Sequence, residues 1–182
     1  LGIQALSIAN LAAQSEDAPA ASGHFQQAVT LNPDESRYTR QLALAHALGG
    51  DLDTALALAD AWVARASDAP EPFLLRAQLL TRTDRLGEAE RALVAAEDRT
   101  LPDEAETLRS IAIRRADLLG ARGRHEEAVA ALRVLPVDDQ LLEEVGEALG
   151  QAWDRAGEAQ KAAVYFERVA RMEAIREALS DT

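Results

Sequence analysis

The sequence predicts an all-α fold assembled from repeated helical hairpins, and three observations carry that expectation. Ala and Leu account for 65 of the 182 residues (39 and 26), and both are strong helix formers. Aromatic residues are only 4% of the chain and Val, Ile and Tyr are scarce, which argues against a β-rich fold. Small residues recur at Ala21, Ala55, Ala89, Ala128 and Ala162, in steps of 34, 34, 39 and 34. Each follows another small residue by twelve positions: Ala9, Ala43, Ala77, Ala116 and Gly150. A fixed spacing of this length is the mark of a repeat architecture, in which each unit is one supersecondary hairpin.

Each unit reads as a helix A, a tight turn and a helix B. The units span residues 2–35, 36–69, 70–103, 109–142 and 143–176, with 104–108 as an insertion. In the first, the turn is drawn from Ser15, Glu16 and Asp17, followed by Pro19, and helix B carries Phe25 and Ala28. In the second, helix A runs from Glu35 to Leu48, Gly49 and Gly50 supply a left-handed cap, and helix B runs from Leu52 to Ala66. Ala43 and Ala55 face each other there because two antiparallel helices approach closely only over small side chains. The third unit opens on Pro70 and Pro72 and turns at Asp84. The fourth turns at Gly123, and Pro136 cuts its helix B short, so 137–140 are expected to form a loop. The fifth turns at Gly157, and its helix B continues through Arg171 and Ile175 to about Leu179.

This column order at 34 residues resembles the tetratricopeptide repeat (TPR) family. Phe25, Ala28 and Pro33 match the end of its motif in the first unit, and Leu149, Gly150, Trp153, Gly157, Ala162 and Phe166 make a nearly complete motif in the last. Sel1-like repeats are the alternative, with a longer and more variable period. Trp62 stands at a position usually small, and Arg76 and Arg115 stand where Leu is usual. The resemblance implies a right-handed α-α superhelix whose A helices line a concave groove for an extended peptide or a partner's helix.

Composition removes several function classes. The net charge of −12 and pI near 4.7 oppose nucleic-acid binding. The absence of cysteine excludes disulfides and thiolate chemistry, and the apolar runs are too short to span a membrane. His24, His46 and His125 show no metal-ligand spacing. His46 falls on a core column and reads as a packed residue, while His125 opens a helix beside Glu126 and Glu127. Paired acids such as Asp138-Asp139 and Glu143-Glu144 read as solvated helix starts. Trp62 and Trp153 read as packing residues. No catalytic, cofactor-binding or metal-binding residue is assigned, and the chain is read as a non-enzyme with a protein or peptide partner.

Carried onto this chain, the resemblance gives a candidate partner-binding groove of Asn10, Arg37, Arg40, Gln41, Gln78, Arg82, Arg114, Asp117, Gln151 and Arg155. Of the carboxylate clamp that some TPR co-chaperones use, only Asn10 matches. The groove charges balance, with Arg in excess in units two to four. A segment bearing acidic residues is therefore expected there, held by the fork-shaped donors Arg40, Arg82 and Arg114. Two other readings are a docking or regulatory array of a larger bacterial enzyme (sulfotransferase, glycosyltransferase or thioredoxin-like) and a self-associating assembly factor. The apolar stretch 1–11 suggests a possible homodimer. Arg outnumbers Lys 18 to 1, a composition typical of high-GC bacteria, and the cytoplasm is the expected compartment, with the periplasm as the alternative. A start at Leu1 reads as an excised piece.

Overall fold

A computed structural model of the chain describes residues 18–33 and 35–180. Among them are ten helices and no strand: α1 (Ala18–Leu31), α2 (Ser36–Leu48), α3 (Leu52–Arg65), α4 (Glu71–Arg82), α5 (Leu86–Glu97), α6 (Ala105–Ala121), α7 (His125–Arg133), α8 (Val137–Gln140), α9 (Glu143–Arg155) and α10 (Ala159–Ser180). They fall into two compact parts, divided between Arg99 and Thr100.

The turns within the hairpins share one device. Gly50, Gly123 and Gly157 adopt positive φ of 86°, 73° and 80°, and Asp84 does the same at 59°. This left-handed residue closes a helix A, satisfies its last carbonyls and redirects the chain. The amide of the following residue reaches back five positions, from Asp51 to His46, Arg85 to Leu80, Arg124 to Leu119 and Glu158 to Trp153, at 2.9–3.0 Å. Gly49, expected to share the left-handed role, is right-handed (φ −72°). Gly50 alone makes the turn because one such residue suffices to reverse the chain.

In the first part, α2 packs on α1 and α3, and α4 packs on α3 and α5. The interhelical small residues are closed off from solvent: Ala43, Ala55 and Ala89 are fully buried and Ala77 is 1% exposed. Leu42, Leu79, Leu80 and Leu93 fill the layer around them, and Phe25 packs on Leu42 and Ala45. Trp62 is buried, as its core column predicts. Thr39 is the buried polar residue of this part, and its hydroxyl accepts from Arg65 Nη2 at 3.2 Å. Arg76, on a column where Leu is usual, instead turns outward to Asp60 at 2.6 Å.

In the second part, α9 packs on α6, α7 and α10. Ala116, Ala128, Val129, Leu132, Val145, Leu149 and Ala152 form its core. Gly150 takes the place of the first small residue of the hairpin, and the Phe166 ring occupies the space a Cβ would fill, 2.5 Å from its ideal position. Trp153 is half-buried, with Lys161 Nζ 4.4 Å above its ring. The α10 helix runs unbroken to Ser180.

Two further local expectations are corrected. Residues 137–140, expected as a loop after Pro136, form the one-turn helix α8. Pro136 ends α7 but is itself a favourable residue ahead of a helix, since it has no N–H to satisfy. His46 is not wholly packed away: its ring keeps 26% exposure and Nδ1 lies 3.2 Å from Asp51 Oδ2.

Candidate functional site

In the first part, α2 and α4 are the A helices of successive hairpins, and Arg82 ties them together. Its Nη2 donates to the Ala47 carbonyl at 3.1 Å, near the C-terminus of α2, where a cation meets the negative end of the helix dipole. Arg40 and Gln41 are exposed on α2, and Gln78 is half-buried on α4. Arg37 is engaged by Glu35 through two bonds at 2.9 and 3.1 Å. The guanidinium holds the Glu35 carboxyl below its usual range. The Arg40 guanidinium makes no hydrogen bond or ion pair among the described residues and is exposed. Asn10 lies outside the described residues.

In the second part, α6 and α9 are the neighbouring A helices. Arg114 Nη1 donates to Asp117 Oδ2 at 3.2 Å, one turn away on α6. Arg155 reaches from α9 across α6, its Nη1 3.0 Å from the position a Cβ would take on Gly120. A side chain at residue 120 would crowd this guanidinium. Asp117, Gly120, Gln151, Arg155 and His125 line one small depression. Burial pushes the Asp117 carboxyl above its usual value, while the charges and hydrogen bond of Arg114 and the charge of Arg155 pull the other way. Three of the sequence-predicted residues, Asp117, Gln151 and Arg155, are thus brought together, and Arg114 joins them through Asp117.

Three ion pairs were not foreseen, nor was the setting of His125. Arg109 bridges from α6 to Asp139 of α8 at 3.1 Å and to Glu144 of α9 at 3.4 Å. Asp139 is therefore a half-buried partner rather than a solvated cap. Arg176 pairs with Glu143. His125 has a buried, unpartnered Nδ1 facing this region rather than a fully solvated ring. The partners of Arg109 are 30 and 35 residues away, and local spacing carries no signal for them. Among the described residues, Glu143, Glu147 and Glu173 bring carboxylate oxygens within 4.8 Å of one another. Arg176 already compensates Glu143 and the other two are exposed, which makes this a solvated acidic cluster. No helix among the described residues is long and apolar enough to cross a membrane.

No family model matches the sequence, and none of the curated proteins matches it either. Solved structures do. TTC0263, a thermophilic TPR protein of Thermus thermophilus, superposes with a TM-score of 0.78 at 19% identity, over 94% of this chain and 91% of that one. The chain has the TPR fold. MamA is similar at a TM-score of 0.55 and 15% identity, over 97% of this chain and 94% of that one. Yeast Tom70 is similar at 0.63 and 19%, over 94% of this chain and 37% of Tom70.

Proposed function

We propose that this chain is a protein-interaction module, without catalysis of its own, that holds a peptide or partner segment against its A helices. The observation that supports this most directly is Arg40, an exposed guanidinium with no hydrogen bond or ion pair among the described residues, on the same helix as exposed Gln41 and as Ala47, whose carbonyl Arg82 holds. Arginine is suited to carboxylates because its planar fork offers paired donors. The reading therefore specifies a segment with acidic side chains at α2 and α4. Arg82 and Arg114 act chiefly as braces, since each already donates to an acceptor of its own part. Extended backbone presented to Gln41 and Gln78 would add amide hydrogen bonds.

The test is an array of short extended peptides that differ only in carrying Asp/Glu, Asn/Gln or Lys/Arg, probed with the chain and with its Arg40→Glu variant. Enrichment of the acidic set, lost in the variant at low salt, is expected. Equal binding of all three sets, or binding unaffected by Arg40→Glu, overturns the reading. Arg40 is exposed, so the variant keeps its fold, which circular dichroism verifies.

A further inference from the structure

The repeat register singles out Asp117. Its counterparts in the other units are Asn10, Leu44, Gln78 and Gln151. An amide or an apolar side chain serves at this position everywhere else, and only the fourth unit puts a charge there. The charge comes at a cost, since burial pushes the Asp117 carboxyl above its usual value. An uncharged residue of similar size would avoid that cost, so helix packing does not call for an acid here.

What the acid faces supplies a reason. Arg114 Nη1 donates to Asp117 Oδ2 at 3.2 Å. The Arg155 charge acts on the same carboxyl from the neighbouring helix α9, and Asp117, Gln151 and Arg155 line one depression. Arg155 is exposed, and its guanidinium makes no hydrogen bond or ion pair among the described residues. Two guanidinium groups thus attend one carboxylate that the chain itself supplies. The carboxylate of a bound acidic segment would call on the same two forks.

We propose that Asp117 is a specificity-determining residue, an internal carboxylate that answers Arg114 and Arg155 and so keeps the second part from binding acidic segments. An incoming carboxylate meets a like charge there and must displace the chain's own acid from Arg114. Remove the Asp117 charge, and two uncompensated arginines on α6 and α9 become a second acid-binding site. Arg40 on α2 has no such competitor, because the residue matching Asp117 on that helix is Leu44, one turn from Arg40. The difference confines acidic ligands to the first part. Site and residues are separate from those of the proposed function; only the acidic chemistry of the ligand rests on that reading.

Fluorescence anisotropy of a labelled peptide of alternating Glu and Ser, at neutral pH and low salt, provides the test. Every chain compared carries Arg40→Glu, so that the α2 site does not contribute. Adding Asp117→Asn or Asp117→Ala is expected to tighten binding about threefold to tenfold. The gain should vanish when Arg155→Gln is added, and should not appear with the matching peptide of Gln and Ser. Asp103→Asn, an equal change of net charge at an exposed residue outside the depression, should leave binding unchanged. No gain from either Asp117 variant overturns the proposal. So does a gain that survives Arg155→Gln, that Asp103→Asn reproduces or that the Gln peptide shares. Asp117→Ala decides the matter should the Asn amide disturb the fold, and circular dichroism verifies each variant. The two readings fail separately: if Arg40→Glu alone leaves the parent's peptide binding intact, the proposed function falls, while the Asp117 comparison is decided by its own gain or lack of one.

Discussion

Asp84 stands thirty-four residues after Gly50 in the same left-handed backbone, at φ of 59° against 86°. The two close successive A helices, yet only one has the side chain that makes this conformation costly. A Cβ in the left-handed region crowds the following carbonyl, a penalty that Asp tolerates better than most residues but does not escape. Asp84→Gly is therefore expected to stabilise the chain by about 0.5–1 kcal/mol, the relieved strain being partly offset by the greater freedom of Gly in the unfolded state. Gly50→Ala and Gly123→Ala are expected to destabilise by about 1 kcal/mol each. Beyond the glycine and its two chain neighbours, no heavy atom among the described residues stands within 4 Å of a Cβ at either position, so the loss would report local backbone strain rather than a clash with the packing around it. Urea unfolding midpoints at neutral pH decide the signs.

These turns also show why much of the fold was legible in the sequence. A left-handed residue demands Gly, Asn or Asp, and an interhelical contact demands a small side chain, so both leave periodic traces at Gly50, Asp84, Gly123 and Gly157 and at Ala43, Ala55, Ala77 and Ala89. The candidate site was legible only as a set of positions. Which arginines are engaged depends on partners that local spacing does not reveal: Arg82 ends on the Ala47 carbonyl thirty-five residues away, Arg109 on Asp139, and Arg155 over Gly120. The α8 turn was missed because Pro136 ends one helix and favours the start of the next, and the sequence does not state which effect prevails after it.

Gly150 and Phe166 meet where α9 packs on α10. A methyl group on residue 150 would meet the Phe166 ring, while the helix itself favours Ala over Gly by about 1 kcal/mol. Gly150→Ala alone is expected to destabilise by about 1–3 kcal/mol, the usual cost of overpacking. In a Phe166→Ala background the same change is expected to stabilise by about 1 kcal/mol, because only the helix preference remains. Four urea unfolding curves complete the double-mutant cycle. Equal effects in both backgrounds would mean that the ring moves aside at no cost.

Arg109 fastens α8 to α6 through Asp139 and reaches Glu144 as well. The Asp139 pair is mostly shielded from water, so removing one partner leaves the other poorly compensated. Arg109→Ala is expected to cost about 1–3 kcal/mol, and Arg109→Lys most of that, since one ammonium cannot serve two carboxylates in the same geometry. Amide exchange provides the local readout. The amides of Leu141 and Leu142, bonded to the Asp138 and Asp139 carbonyls, should exchange faster in Arg109→Ala, while those of α2 and α3 remain protected. Uniform acceleration throughout would show that the pair acts on global stability alone.

The carboxylates predict an uneven response to acid. Asp51 is held below its usual 3.8 by the hydroxyl and amide of Thr54 and then by His46. Glu35, Glu88 and Glu127 are held below 4.5 chiefly by hydrogen bonds from Arg37, Arg85 and Arg124. A carboxyl with a depressed folded pKa adds stability that is present above its unfolded value and is lost as the pH falls through the folded one. Asp117 has the opposite sign, because burial raises its pKa. Its contribution is greatest below 3.8 and disappears as the pH rises through the raised value, so acidification first relieves this residue. Asp117→Asn removes that relief. The variant's urea midpoint should therefore fall more steeply than the parent's as the pH approaches 3.8 from neutrality, and Glu88→Gln with Glu127→Gln should make the fall below 4.5 shallower. Because those two acids are open to solvent, added salt should weaken their effect. Parallel pH profiles for the parent and Asp117→Asn would show that burial does not govern the titration of this residue.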